Sequence, residues 1–493
     1  MVSISRFHRF MPSLMPVLMS VLISTVLLIP GKPAGVLAFV PQAGALETRI
    51  DSLFSEWDRA DSPGCALGVI RDGELIYARG YGMADLEHDI PITPRSVFRI
   101  GSTSKQFTAL SILLLEEEGT LSLDDDIHTF FPELPEYPAP VTVRQLINHT
   151  SGVRDYLTLM SLAGKRRDDF YTHQEVVEMI VRQQELNFLP GDHHLYSNSG
   201  YFLLSQIILR VTGESLREYA RKKIFEPLGM EHTHFHNNHT EIVPGRAAGY
   251  SRSGDGFRID MTTLGMIGDG GVFTTVEDLL LWDRHFYDNR LGDEDLLEKQ
   301  HTVGILNDGT ELAYAAGLTV STYRGLRMVS HGGGFVGFRA EMIRFPEQRF
   351  SVICLANLGS VNPSRLARQV ADIYLAGEME PVPRTGSGAR QRAAGGEIQI
   401  PNIPILTEEL TNQYLGAYYS RELDVVYELV LVEEQLLLKV TGGILGRVTL
   451  RSDDVLRISG LTLNMVRDSR GMVTGFRLDA GRVQNVLFER QDR

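Results

Sequence analysis

Ser102-Thr103-Ser104-Lys105 sets a hydroxyl and an amine three residues apart. On a helix that spacing brings both side chains to one face, with the amine within reach of the hydroxyl. The preceding run, Val97-Phe98-Arg99-Ile100-Gly101, is largely apolar. Phe107, Leu110, Leu113 and Leu114 recur at helical spacing behind it, so Ser102 is expected to open a helix. Unsatisfied N–H groups and the helix dipole favour negative charge there. In a partly desolvated pocket the lysine pKa falls, and the neutral amine can accept the serine proton. An N-cap serine followed by a solvated lysine would have the same local sequence. Only residues elsewhere in the chain separate the two readings.

Two further groups supply them. Tyr196-Ser197-Asn198 follows the turn signal Pro190-Gly191-Asp192 and precedes an apolar helical stretch, Tyr201 to Ile208. An ammonium group beside a phenol lowers its pKa, so Tyr196 could pass protons to a leaving group and take them from water. Asn198 offers both a donor and an acceptor to an amide-like substrate. His331-Gly332-Gly333-Gly334 ends the strand-like run Leu326 to Ser330. Without a Cβ, Gly333 and its neighbours let a substrate lie against the strand backbone. The plain alternatives are a buried tyrosine beside a capping asparagine and a glycine-rich turn; the turn leaves the leading histidine unexplained.

In this order the three groups resemble the Ser-x-x-Lys, Tyr-x-Asn and Lys/His-x-Gly motifs of the penicillin-recognising serine hydrolases. The likeness is to the branch with class C β-lactamases, D-aminopeptidases and related esterases. Tyr196 selects that branch, because class A enzymes carry Ser-Asp-Asn in the second slot. Further matching segments are Leu146 to Gly152, Pro227 to Met230 and Gly268 to Gly271 followed by Asp278, Leu279 and Trp282. His149, inside the first, is read as structural. The likeness covers about residues 46–376.

It implies Ser102 as nucleophile, Lys105 as its activator and Tyr196 as proton shuttle. Asn198, His331 and Gly333 would contact substrate, and the N–H groups of Ser102 and Gly334 would form the oxyanion hole. The expected reaction is hydrolysis of ester or peptide-like amide bonds through an acyl-enzyme. A class C-type β-lactamase or D,D-peptidase is the alternative within the family, and a vestigial penicillin-sensing protein is the non-enzyme one. The family generally holds lysine where this chain has His331. An unperturbed histidine is mostly neutral at pH 7, so uncharged acyl donors are expected over β-lactams and other carboxylates, with Arg339 as a partial substitute for the charge.

The expected fold is α/β (α+β): an antiparallel sheet flanked by helices, with an inserted helical lobe. Ile50, Leu53, Phe54 and Trp57 form one helical stripe, and Cys65 to Ile70 with Leu75 to Tyr77 read as a hairpin around Asp72-Gly73. Phe338 to Phe345 and Phe350 to Leu355 are further strands. Four prolines and four glycines between Glu380 and Pro404 make residues 377–404 a linker. Short β runs beyond it suggest an antiparallel β-barrel over residues 405–493, similar to the lipocalin-like domain of some relatives.

At 493 residues the chain exceeds one ordinary domain. Its net charge of −14, without a basic stripe, argues against nucleic acid and leaves a small-molecule or peptide-like substrate as partner. Arg6 and Arg9 precede an apolar run from Leu14 to Ile29, and Val36-Leu37-Ala38 suits cleavage, so residues 1–38 read as an export signal. Removing them takes away three cations and no acid, shifting the net charge to −17. The expected location is the periplasm or outside the cell, with an uncleaved N-terminal membrane anchor as the alternative. The family fold would set Cys65 and Cys354 side by side, as buried thiols or as a disulfide. His232, His234, His236 and His239 could present imidazoles on one strand face to a transition metal. No carboxylate pattern accompanies them, so the reading taken is no metal and no cofactor.

Overall fold

The computed structural model describes residues 43–166, 169–381, 407–440 and 443–491. Asp72 and Gly73 both have positive φ, 53° and 77°. Such a turn joins strand β1 (Cys65–Arg71) tightly to β2 (Glu74–Tyr81). Four later strands complete an antiparallel sheet: β3 (Thr319–Tyr323), β4 (Leu326–Phe335), β5 (Phe338–Phe345) and β6 (Phe350–Ala356). The order across it is β3-β4-β5-β6-β1-β2, so strands from both ends of the family region meet at β6 and β1.

Residues of β6 alternate between two cores, as a period of two requires. Phe350, Val352 and Cys354 face helices α1 (Ala43–Phe54) and, near the end of the sheet region, α4 (Pro363–Tyr374), packing with Ile50, Phe54 and Val370. Ile353 and Leu355 face the helical lobe. Trp57 lies beyond the end of α1 but stays in the first core. Cys65 and Cys354 are buried free thiols on adjacent strands, and burial raises the Cys65 pKa.

Two helices of the lobe carry the motifs. Lys105–Glu117 (α2) has no solvent face over its first eleven residues, which is why its apolar positions exceed a single stripe. Asn198–Thr212 (α3) ends at Gly213 in the left-handed conformation. The helix proper begins at Lys105, and Gly101–Ser104 forms a 3₁₀ turn ahead of it. His331 lies in mid-strand, because β4 continues through the three glycines to Phe335. The sequence reading ended that strand too early because glycine is unusual inside strands.

Nine strands, from Gly416–Ser420 to Val483–Arg490, form an antiparallel, nearly closed barrel-like sheet whose first strand pairs with its last. Val425, Tyr427 and Leu429 point inward between exposed Val426 and Glu428; in the interior Phe476 stacks on Phe488, and Tyr427 packs tilted against Phe488. The two edge strands, Gly443–Arg447 and Thr449–Ser452, are separated by Val448 alone. This sheet docks on the helical lobe. Fully buried Arg154 donates to Glu422 at 2.7 Å, and to the backbone carbonyls of Gln484 and Asn485. Asn187 bonds Arg482 O and Gln484 N, and the Tyr427 hydroxyl donates to Leu162 O. The described residues from 44 onward make one compact unit. The expected export signal, and the linker from residue 382 onward, lie outside the described residues.

Candidate active site

In a 3₁₀ turn, residues i and i+3 eclipse one another. Ser102 and Lys105 stand at that spacing, and Lys105 Nζ lies 3.4 Å from Ser102 Oγ. The amine is fully buried, yet it has two acceptors: Asn198 Oδ1 at 2.9 Å and the Asp269 carbonyl at 2.5 Å. Neither can donate, because Asn198 Nδ2 is committed to Asp155 Oδ2 at 2.8 Å. A neutral amine has two N–H bonds and one lone pair. With both N–H bonds taken, the lone pair is left for the Ser102 hydroxyl. Burial lowers the Lys105 pKa from 10.5 to about 7, despite the opposing pull of Asp269 and Asp155, so the neutral form is well populated near pH 7.

Asp155 is the keystone that the motifs did not disclose. It caps helix Tyr156–Leu162 by accepting from Thr158 N, and it also accepts from the backbone N–H and side-chain amide of Asn198. Tyr156 donates to the buried Asp269 carboxyl, whose pKa is raised by desolvation. These contacts fix the loop whose carbonyl holds Lys105.

The opposite wall is aromatic. The Tyr196 ring centroid lies 4.7 Å from Lys105 Nζ, and His149 packs against the same ring with centroids 4.1 Å apart. His149 takes a positive φ of 58° and accepts the Ser197 N–H on Nδ1. The expected lowering of the Tyr196 pKa does not occur. Desolvation raises it, outweighing the lowering by Ser102 and Arg482, so the phenol is a proton donor at rest. Its hydroxyl is buried and, among the described residues, has no partner in full hydrogen-bond geometry, Ser102 being its polar neighbour.

His331 is likewise buried and occupied. Gly332 O lies 2.7 Å from Nδ1 and can only accept, so Nδ1 carries the proton; Nε2 then accepts from the Tyr314 hydroxyl at 3.0 Å. Burial first, and Lys105 second, lower its pKa to about 4. At neutral pH it offers substrate neither charge nor a free N–H. Arg339, the suggested substitute, donates to the carbonyls of Val336 and Phe338.

Backbone shape completes the cleft. Thr103 donates to His331 O at 3.2 Å, holding the nucleophile turn against β4. Gly101 has φ 53°, and a Cβ there would stand 2.7 Å from Gly334 N. A Cβ at Gly333 would meet Ile100 O at 1.8 Å. This close approach brings the backbones at Ser102 and Gly334 together beside the hydroxyl, with Gly334 exposed. Ser102 lines a cleft of about 50 Å³ that shares Tyr156, Leu157, Asn198, Leu264 and Phe335 with an adjoining cavity of about 780 Å³.

Residues 50–375 match the Beta-lactamase family. The chain belongs to the β-lactamase family. It is 32% identical to a D-aminopeptidase of Gluconobacter oxydans (strain 621H) over 301 residues, which are 61% of this chain and 56% of that one. It thus spans little more than half of that relative's length. Penicillin-binding protein 4* of Bacillus subtilis (strain 168) is 28% identical over 75% of this chain and 82% of its own. Among solved structures, the octameric penicillin-binding protein homologue from Pyrococcus abyssi superposes with a TM-score of 0.61 and 26% identity, covering 91% of this chain and all of its own. The expected fold class thus stands, and the family likeness with it.

One site residue of this family member lies far from every motif. The turn between the last two barrel strands, Gly481-Arg482, enters the large cavity, and the Arg482 guanidinium sits 4.6 Å from the Tyr196 ring centroid. Its Nη1 is 3.8 Å from Asp155 Oδ2. Nothing local marks Arg482 or Tyr314; a glycine-arginine turn and a lone tyrosine carry no signal until the chain folds.

Proposed function

We propose that the protein is an exported serine hydrolase that cleaves amide or ester bonds of small, peptide-like substrates through an acyl-enzyme on Ser102. The observation that carries this reading is the Lys105 amine, with both of its N–H bonds held by acceptors and its lone pair left for Ser102. Lys105 takes the hydroxyl proton as Oγ attacks the carbonyl carbon. Ser102 and Gly334 N–H stabilise the oxyanion. The buried, protonated Tyr196 or the newly charged Lys105 returns a proton to the leaving group, and water then reverses the sequence to release the acid.

Relatives named D-aminopeptidase support amide substrates, and a D-amino acid amidase of Ochrobactrum anthropi shares the fold at a TM-score of 0.59. The neutral His331 favours uncharged acyl donors over carboxylate-bearing ones. Arg482 narrows the entrance, so the barrel helps to choose the substrate. A fluorophosphonate probe should label Ser102 in the intact protein and leave folded Ser102→Ala unlabelled. A nitrophenyl ester, a D-amino acid anilide and a chromogenic cephalosporin then rank the substrates. Labelling that persists in Ser102→Ala sinks the mechanism; highest efficiency on the cephalosporin sinks the substrate preference.

A further inference from the structure

We propose that His234, His236 and Glu241 form a binding site for a transition-metal dication of the zinc type, on a strand separated by one other from the strand that leads to the nucleophile. His234 and His236 are two residues apart at a strand, so their side chains share a side. His234 Nε2 lies 3.3 Å from His236 Nδ1, which lies 3.5 Å from Glu241 Oε2, and the three ligand atoms are all within 4.8 Å of one another. Metal–nitrogen bonds of about 2.0–2.1 Å in a tetrahedral site separate neighbouring ligands by about 3.4 Å. The first two separations already match.

Glu241 is held ready. Arg217 forks onto both carboxylate oxygens at 2.6 Å, the kind of outer contact that orients a metal-binding carboxylate. Arg99 and Arg246 also face His236, and Arg217 faces His234. These cations disfavour a hard dication held by charge alone; two imidazoles suit zinc, nickel or copper over calcium or magnesium. A cavity of about 330 Å³, lined by His236 and His239 together with Arg99 and Arg246, adjoins the cluster at His236. Of the four histidines in the sequence pattern, His234 and His236 converge, and the missing carboxylate arrives five residues later.

The position gives such a metal something to brace. Strand His234–Phe235 pairs with Val272–Thr274, which pairs with Phe98–Arg99 just before Ser102. The His236 N–H also donates to Gly271 O, next to the loop that holds Lys105.

Full-length protein stripped with a chelator would be titrated with Zn²⁺ by calorimetry and with Co²⁺ by visible absorption. Wild type should bind one equivalent of each, with tetrahedral Co²⁺ bands. His234→Gln and Glu241→Gln should each weaken binding at least about tenfold. His232→Gln, outside the cluster, should bind as wild type, and circular dichroism establishes which variants are folded. His234 is only half-buried, so its variant decides the matter if Glu241→Gln fails to fold. No binding by wild type, or equal affinity in wild type and His234→Gln, overturns the site.

Discussion

The floor and the wall of the cleft are both buried, yet burial makes a base on one and keeps the groups of the other neutral. On the floor, Lys105, Asn198, Asp155 and Asp269 are linked by hydrogen bonds. On the wall, rings of Tyr196, His149, Tyr314 and His331 pack together, and among the described residues Tyr196 Oη and His149 Nε2 have no partner in full hydrogen-bond geometry. Desolvation is the largest influence on the titration of both regions. It carries a lysine from 10.5 down to about 7, the range where a base is useful. The same push takes a histidine from 6.5 to about 4, out of that range, and sends a tyrosine further above it. One force therefore produces a base from one residue type and keeps the others neutral, the tyrosine as a proton donor.

The comparison breaks most readily at the floor. Ser102→Ala should abolish acyl transfer, a loss on the order of 10⁶ in kcat, and Lys105→Ala should cost about 10²–10⁴, both in single-turnover kinetics. A Lys105→Ala enzyme with near-normal turnover would move the base to Tyr196. Asp155→Ala should come next. It strips partners from two Asn198 N–H groups, for about 1–3 kcal/mol of stability each, and frees the amide that orients Lys105. A fall in both Tm and kcat is the expected result.

Titration sharpens the contrast. Acylation should rise with pH through a midpoint near 7 as Lys105 loses its proton, with no step from His331 between pH 5 and 8. Stability should move in the same direction. The Lys105 pKa is lower folded than unfolded, so between about pH 7 and 10.5 the unfolded chain binds more protons, and raising pH favours folding. A Lys105→Met comparison under denaturant isolates that slope. The smallest effects belong to the periphery. Tyr314→Phe leaves His331 Nε2 unpaired, for about 1 kcal/mol, without shifting the pH profile near 7. Arg482→Ala should alter KM among substrates of different size by a few-fold with little change in Tm.

Where chemistry is local, the sequence disclosed it. Ser102 with Lys105, and Tyr196 with Asn198, sit within single turns, so their spacing survives folding unchanged. Asp155, Asp269, Tyr314 and Arg482 come from four separate segments, and only tertiary packing brings them together. The hairpin at Asp72-Gly73 was legible because its turn chemistry and alternation agree. Strand Gly443–Arg447 was not, because it has no buried face and its two glycines read as turn. The direction of the Tyr196 shift was misjudged for a related reason: the neighbouring amine is visible in the motifs, while the desolvation that outweighs it is a property of the packed wall.

Arg154 and Asp155 are consecutive residues that answer to different parts of the chain. The first is paired within the barrel interface, and the second holds the amide beneath Lys105. A single peptide unit therefore joins the anchoring of the last-made strands to the aim of the nucleophile's base. During synthesis, the serine and lysine emerge long before Glu422 and Arg482 exist to complete their frame.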